Sequence, residues 1–334
     1  MKSPSICTYT TLKAPRQEIV TFVNYHLGIG VDHLFLFFDD PTDESASIFN
    51  HDKRVTCIRC DGEHWQSLGI ASSNIMTIPE KQTENSKIAI ELAGKQKYDW
   101  IIHIDIDEFL YSFVNLKAEL SSVCHSIDTV SYRPLEAIAN IPTLLNYTGF
   151  KYSYTCKFST KMFVYTSTDK SYILLSKILY ILKREFCRLI GLAKPFKYRL
   201  TKAHIEGKCA TRLKSKISKL GPHFPYPSTN SKLHIKISRN SWVLHYDSPT
   251  YALWRRKWNR RMPKAGNPIW GHESRSHTNR MFLDYSEYSE KNDEKEFKRF
   301  YNFLYGISPF EYKVLKALGL IKEIPSQHTP DFIL

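Results

Sequence analysis

Asp99 to Tyr111 reads DWIIHIDIDEFLY: a run of strand-core residues leading straight into two carboxylates one residue apart, Asp105 and Asp107. In an extended chain successive side chains alternate faces, so these two point the same way while Ile104 and Ile106 point the other. The strand is expected to end in a paired dianion. Two uncompensated carboxylates side by side repel and are costly to bury, and a divalent cation bridging to phosphate oxygens relieves both costs. A lone D-x-D is also the mark of a solvated acidic turn after a strand. Here the six residues before Asp105 read as strand core, which favours the metal site.

Outward from this stretch, Val31 to Phe38 (VDHLFLFF) is a nearly continuous apolar strand that stops at Asp39, Asp40 and Pro41. Tyr9 to Leu12 reads as a first strand. A helix over about Gln17 to Leu27 follows, with Ile19, Phe22, Val23 and His26 on one stripe, ended by Gly28 and Gly30. A third strand, Val55 to Arg59, precedes a helix from about Pro79 to Gln96. Strands alternating with helices predict a mainly parallel sheet covered on both faces. Ligands of such sheets sit at the carboxyl ends of the strands, so Asp39/Asp40 and Asp105/Asp107 are expected to face one crevice. In the helix before the acidic strand, Lys81, Asn85, Ile88 and Leu92 share a stripe. Its polar pair is either a helix end where the core thins or an amide and an ammonium aimed at a nucleotide.

Downstream the pattern is more mixed. Thr129 to Tyr132 reads as a strand entering Arg133-Pro134-Leu135-Glu136. Between Ser171 and Lys197, Ile173, Leu174, Ile178, Leu182, Leu189 and Ile190 alternate with Lys170, Lys177, Arg184 and Arg188, the pattern of a cationic amphipathic helix. Such a helix either packs its stripe inward or lies on an anionic membrane surface. Trp242, His245, Tyr246, Tyr251, Trp254, Trp258 and Trp270 are interleaved with basic residues, and suit stacking on bases or sugar rings as well as a core. Ser308, Pro309 and Glu311 form a capped helix start, Val314, Leu315 and Leu318 its stripe, and Gly319 its stop.

The 334 residues, 42% of them hydrophobic, suffice for one large α/β domain or two smaller ones. No apolar stretch is long enough to span a bilayer and no charged start with an apolar run precedes Ile6, so a cytoplasmic protein is expected. Seven scattered cysteines imply reduced thiols rather than a disulfide framework. Cys57 and Cys60 lie in a strand-like run without a second pair, which is not a zinc pattern. The balance of 47 Lys and Arg against 33 Asp and Glu, a net charge of +14, attracts phosphate-rich partners or anionic membrane. The basic run Trp254 to Lys264 and the acidic run Asp284 to Glu296 read as solvated charge.

Several of these stretches resemble family 2 and family 92-like glycosyltransferases. Lys13 to Asp43 (KAPRQEIVTFVNYHLGIGVDHLFLFFDDPTD) is similar to their opening, a helix ending in Tyr-His and a turn into a strand with an acidic end. DWIIHIDIDEF looks like their D-x-D strand. Gly207-Lys208 with Arg212, Gly221-Pro222-His223, and Trp242 to Tyr246 (WVLHY) with Lys257 downstream follow in the same order. The chain departs from the family in the spacing between Lys13 and Glu18 and in the Ser171 to Lys197 segment, which reads as an insertion.

The resemblance implies a GT-A type, Rossmann-like, mixed and mainly parallel α/β sheet with helices on both faces, over 1–250. The helical insertion is at 171–197, and a basic, aromatic and helical extension packs on the domain over 251–334. It implies an inverting hexosyltransferase of cell-surface polysaccharide synthesis. The donor would be a nucleotide sugar, UDP-hexose with UDP-galactose first, and the acceptor a glycan or a lipid-linked glycan. Mn2+ or Mg2+ would be held by Asp105, Asp107 and His245. Lys13, Asp39, Asp40, Lys81, Asn85, Asp105 and Lys208 would meet the donor. Glu136 is the first candidate for the base that takes the acceptor proton, Asp247 the second and Glu206 the third. A peripheral place at the inner face of the membrane follows if 171–197 binds lipid, and no nucleic-acid module is present.

Two rivals remain at the level of sequence. An aspartyl-nucleophile magnesium phosphatase also ends a strand in D-x-D, but needs a small residue where Phe109 stands and carries the motif on its first strand. A non-enzymatic basic protein binding membrane or nucleic acid would bind polyanions whether or not Asp105 is ionised.

Overall fold

Four parallel strands open the fold of the computed structural model, which describes residues 3–73, 76–139, 147–152, 165–167, 169–196, 200–228, 231–261 and 293–330. They are β1 (Ile6–Leu12), β2 (His33–Phe38), β3 (Val55–Arg59) and β4 (Trp100–His103), side by side in the order β4-β1-β2-β3. β1 and β2 are buried along their whole length, as a sheet covered on both faces requires. Period two sorts the β2 side chains between two cores. Leu34, Leu36 and Phe38 pack with Ile19, Phe22 and Val23 of α1 (Arg16–Gly28). Phe35 and Phe37 pack on the other face with Trp65 of α2 (Gly62–Ser67) and Ala89 and Ala93 of α3 (Ile78–Lys95).

α3 starts on a capping box between Thr77 and Glu80, with proline in its first turn. Its buried stripe is Gln82, Asn85, Ser86, Ala89 and Ala93. This is rotated from the expected stripe because the small side chains, not Ile88 and Leu92, let the helix lie close on the sheet.

Beyond β4 the sheet becomes mixed. β9 (Lys208–Arg212) runs antiparallel between β4 and β6 (Thr129–Ala137). β7 (Tyr147–Tyr152) and β13 (Ile321–Pro325) extend that side, again antiparallel. The long β12 (Leu233–His245) pairs parallel with β6 and β8 (Tyr165–Ser167) and antiparallel with β5 (Glu108–Ser112). β10 (Ile217–Leu220) and β11 (Pro225–Pro227) form a separate hairpin. The remaining helices are α4 (Leu116–Ser121), α5 (Lys170–Leu189), α6 (Tyr251–Arg261), α7 (Glu294–Tyr305) and α8 (Pro309–Ala317). The architecture is a Rossmann-like mixed α/β sheet with its parallel core in the N-terminal half, helices on both faces and a helical C-terminal region. The described cysteines are free thiols.

One expectation needs correction. The strand does not carry Asp105 and Asp107 at its end: β4 stops at His103, a turn follows, and β5 leaves to pair with β12. The turn is closed by Glu108, whose carboxylate accepts the Asp105 amide at 2.9 Å while its own amide donates to the Asp105 carbonyl at 3.0 Å. From the region after 250, β13 adds a strand to the sheet. Trp254 and Trp258 of α6 form a core with Phe297, Phe300 and Tyr301 of α7, so these aromatics are not a stacking platform. Cys156, Lys197, Lys264, Trp270 and the acidic run over 284–292 lie outside the described residues. α8 has the expected capping box, Ser308 with Glu311, and the expected stop at Gly319, whose φ is +64°.

The end of α1 explains the Tyr-His pair. Tyr25 Oη donates to the Leu110 carbonyl at 2.9 Å, and the Leu110 amide donates to His26 Nε2 at 3.4 Å. His26 Nδ1 donates to the Phe22 carbonyl at 2.8 Å, so the ring is neutral and satisfied at both nitrogens. α1 thereby clamps the strand that leaves the acidic turn. Burial pushes the His26 pKa down to about 4. A base depressed in the native state stabilises fully above its unfolded value, near 6.5, and loses that contribution as the pH falls toward 4. Urea unfolding is expected to show about 3 kcal/mol of acid-labile stability over this window, absent from His26→Gln. An equal pH dependence in the variant would refute the assignment.

Candidate active site

The carboxyl ends of β1, β2 and β4 carry Lys13, Asp39/Asp40 and the Asp105–Asp107 turn. β1 alone separates β2 from β4, so the two acidic ends stand two strand spacings apart, about 10 Å. One turn of α3 reaches both. Lys81 Nζ donates to Asp39 at 2.7 Å and Gln82 Nε2 to Asp105 Oδ1 at 2.5 Å. Both acidic ends therefore lie against one turn of the same helix. Lys13 meets Asp40 at 3.1 Å on its exposed rim. Asn85, expected to meet a nucleotide, is fully buried. It accepts from His64 Nε2 at 2.7 Å and donates to Thr11 Oγ1 at 2.9 Å, tying α2 and α3 to β1.

The carboxylates of the turn are not uncompensated. Lys208 Nζ contacts Asp105 Oδ2 at 2.6 Å and Glu108 Oε2 at 3.0 Å, and donates to the Pro222 carbonyl at 3.0 Å. Lys257 Nζ donates to Asp107 Oδ2 at 2.9 Å and also pairs with Asp247. Each acidic residue of the D-x-D thus has its own ammonium, and the two diverge. Lys208 is fully buried and anchors the turn. It is delivered by Gly207, whose φ is +73° and where a Cβ would lie 2.0 Å from the Tyr132 carbonyl oxygen. No other residue fits there.

Electrostatics keeps these groups charged. Burial alone would raise the Asp107 carboxyl, but Lys257 and His245 outweigh it and hold it well below the usual carboxylate range. Glu108, also opposed by burial, is held well below by Lys208 and His204, the latter with Nε2 at 2.7 Å. Burial pushes His245 toward neutrality, but Asp107, Glu108 and Asp247 raise its pKa to about 9.

Among the described residues, two groups bring three metal-binding atoms within 4.8 Å of one another: Asp107, His245 and Asp247, and Glu108, His204 and His245. His245, the last residue of β12, belongs to both. Of the expected set of Asp105, Asp107 and His245, Asp105 belongs to neither group, and the turn sends it to Lys208. Two carboxylates and an imidazole fit a hard or borderline divalent ion. Lys257 bridges the two carboxylates of that group, in the place a shared cation would take.

The candidate bases are brought together only in part. Strand register sets Glu108, His245, Glu136 and Lys151 in one row across β5, β12, β6 and β7, and residues directly opposite share a face. Glu136 is closed in a buried ion pair with Lys151 at 2.5 Å and accepts the Ala203 amide at 2.6 Å. Asp247 is buried against Lys257 and Ser248. Glu206 is the accessible one, with His223 Nε2 at 3.6 Å. Sequence reasoning missed Gln82, Glu108 and His204. The glutamate after the D-x-D was the only local signal among them.

No protein-family model matches the sequence, and no curated protein matches it. Among solved structures, part of the chain is similar to the mannosyltransferase Ktr4p from S. cerevisiae in complex with GDP, with TM-score 0.28 and 12% identity over 42% of each chain. HddC from Yersinia pseudotuberculosis gives TM-score 0.26 and 12% identity over 43% of this chain and 66% of that one. The chain thus spans about two fifths of the length of the yeast protein.

Proposed function

We propose that this chain is a glycosyltransferase that transfers a hexose from a UDP-sugar, UDP-galactose first, to a glycan or lipid-linked acceptor of a cell-surface polysaccharide. The observation that carries this is the cluster at the ends of β1, β2 and β4, where an acidic turn, two lysines and a His/Asp group meet at the carboxyl ends of the strands, the edge where such sheets bind ligands. The sequence resemblance of that turn to the D-x-D of glycosyltransferases supports it. Asp107, His245 and Asp247 would hold Mn2+ or Mg2+, which supplies a Lewis acid at diphosphate oxygens when bound.

The chain's own residues do the remaining work. Asp39 accepts from the nucleoside, and Lys81 fixes that carboxylate while offering its ammonium to the donor. Lys257, about a quarter exposed, turns to the leaving diphosphate and neutralises the charge that grows there. Lys208 holds Asp105, and through Glu108 the whole turn, in place. In an inverting displacement the acceptor hydroxyl loses its proton to Glu206, the accessible candidate.

Donor hydrolysis and transfer with a panel of UDP-hexoses, with Mn2+ or Mg2+, test this. One donor is expected to be turned over and to raise the melting temperature by binding the native state, and Glu206→Gln to keep that shift but lose transfer. No turnover and no shift with any nucleotide sugar would overturn the proposal.

A further inference from the structure

Among the described residues, α5 is the one long helix whose apolar side chains face outward. Its inner side holds Cys187, which is fully buried, and Tyr180, whose ring lies 6.4 Å from that of Phe196. On the outer side Leu174, Leu175, Ile178, Leu182, Phe186 and Leu189 are all at least 46% exposed, Leu189 86%. At about 100° per residue they fall in one arc of about 120°. Lys170, Lys177 and Arg188 line one edge of this arc by the same spacing. The helix's one acid, Glu185, falls within the arc and is paired with Arg184 at 2.6 Å and Arg188 at 3.2 Å.

Such a face is not stable in water alone, and the observations decide between two covers. A second copy would bring like-charged edges together, whereas an anionic bilayer attracts the basic edge and accepts the apolar arc beside it. Long basic side chains at the edge reach up to the headgroups as the apolar residues sink. No described helix is long and apolar enough to cross a membrane, so the contact is in the plane of the surface. The net charge of +14 acts in the same direction.

We infer that α5 is an in-plane docking helix for an anionic membrane surface. It ends 15 residues before His204 and 19 before Lys208 in the chain. The inference stands apart from the transfer reaction, although it suits a lipid-linked acceptor.

The test is sedimentation of the full chain with phosphatidylcholine vesicles, with and without about 30 mol% phosphatidylglycerol. Wild type is expected to bind the anionic vesicles at least about tenfold more tightly, with strong salt dependence. Ile178→Glu/Leu182→Glu is expected to lose at least about tenfold. Since each basic residue near such a surface is worth about fivefold, Lys177→Glu/Arg188→Glu should lose about thirtyfold or more. These positions are exposed, so melting temperature and donor hydrolysis should stay at wild-type values, separating this result from any failure of the transfer proposal. Equal binding to neutral and anionic vesicles, or unchanged binding by the apolar double variant, overturns the inference. So does a dimer in light scattering without vesicles that Ile178→Glu/Leu182→Glu converts to monomer, because a second copy then covers the face.

Discussion

Lys208→Met is expected to lower the unfolding free energy by about 3–5 kcal/mol, the usual cost of breaking a buried ion pair from one side. Its ammonium is fully buried and joins Asp105, Glu108 and the Pro222 carbonyl. Methionine fills much of the volume but leaves Glu108, itself fully buried, with the His204 and His245 rings in place of an ammonium. Asp105 suffers less, because a quarter of its side chain reaches solvent. The loss should therefore be coupled to Glu108. In Lys208→Met/Glu108→Gln the stranded charge is gone, and more than about 1 kcal/mol should return as a coupling energy. Urea unfolding of the four proteins at neutral pH measures this. A loss below about 1 kcal/mol in the single variant would mean that water reaches the pair and that Lys208 does not hold the turn.

The second large effect is catalytic. Asp107→Ala is expected to lower turnover of the preferred donor by about a thousandfold, the upper range for one electrostatic group at a reacting centre. Two functions disappear together: a ligand of the group formed with His245 and Asp247, and the carboxylate that positions Lys257. Asp107 is partly exposed, so the fold should survive, and the melting temperature without donor should change little. Asp105→Ala should behave differently, with its main cost in stability, because its partners are Lys208 and Gln82. Steady-state turnover at saturating Mn2+ checks both. Wild-type turnover in Asp107→Ala would eliminate the metal group and the role given to Lys257.

That split between two aspartates one residue apart marks where sequence reading ends. Periodicity located β2 because its residues face two cores and must all be apolar. A cap located the start of α8 because Ser308–Glu311 is a bond made within four residues. The turn after β4 carries no such signal. It is closed by a side chain bonding back to an amide three residues earlier, and in sequence Glu108 looks like one more strand residue. The outward face of α5 was half legible: spacing put the basic residues on one side, but the same spacing is compatible with an apolar stripe packed inward.

The chain by itself determined the alternating strands and helices, the parallel core and the placement of its acidic strand ends at one edge. Each of these follows from side-chain periodicity and short-range bonds. Tertiary structure alone decided which cation each carboxylate meets. Lys208, His245, Asp247 and Lys257 come from β9, the end of β12 and α6, more than a hundred residues beyond the turn. Their charges select partners through distance and burial in the folded chain, and neither quantity is written in local sequence.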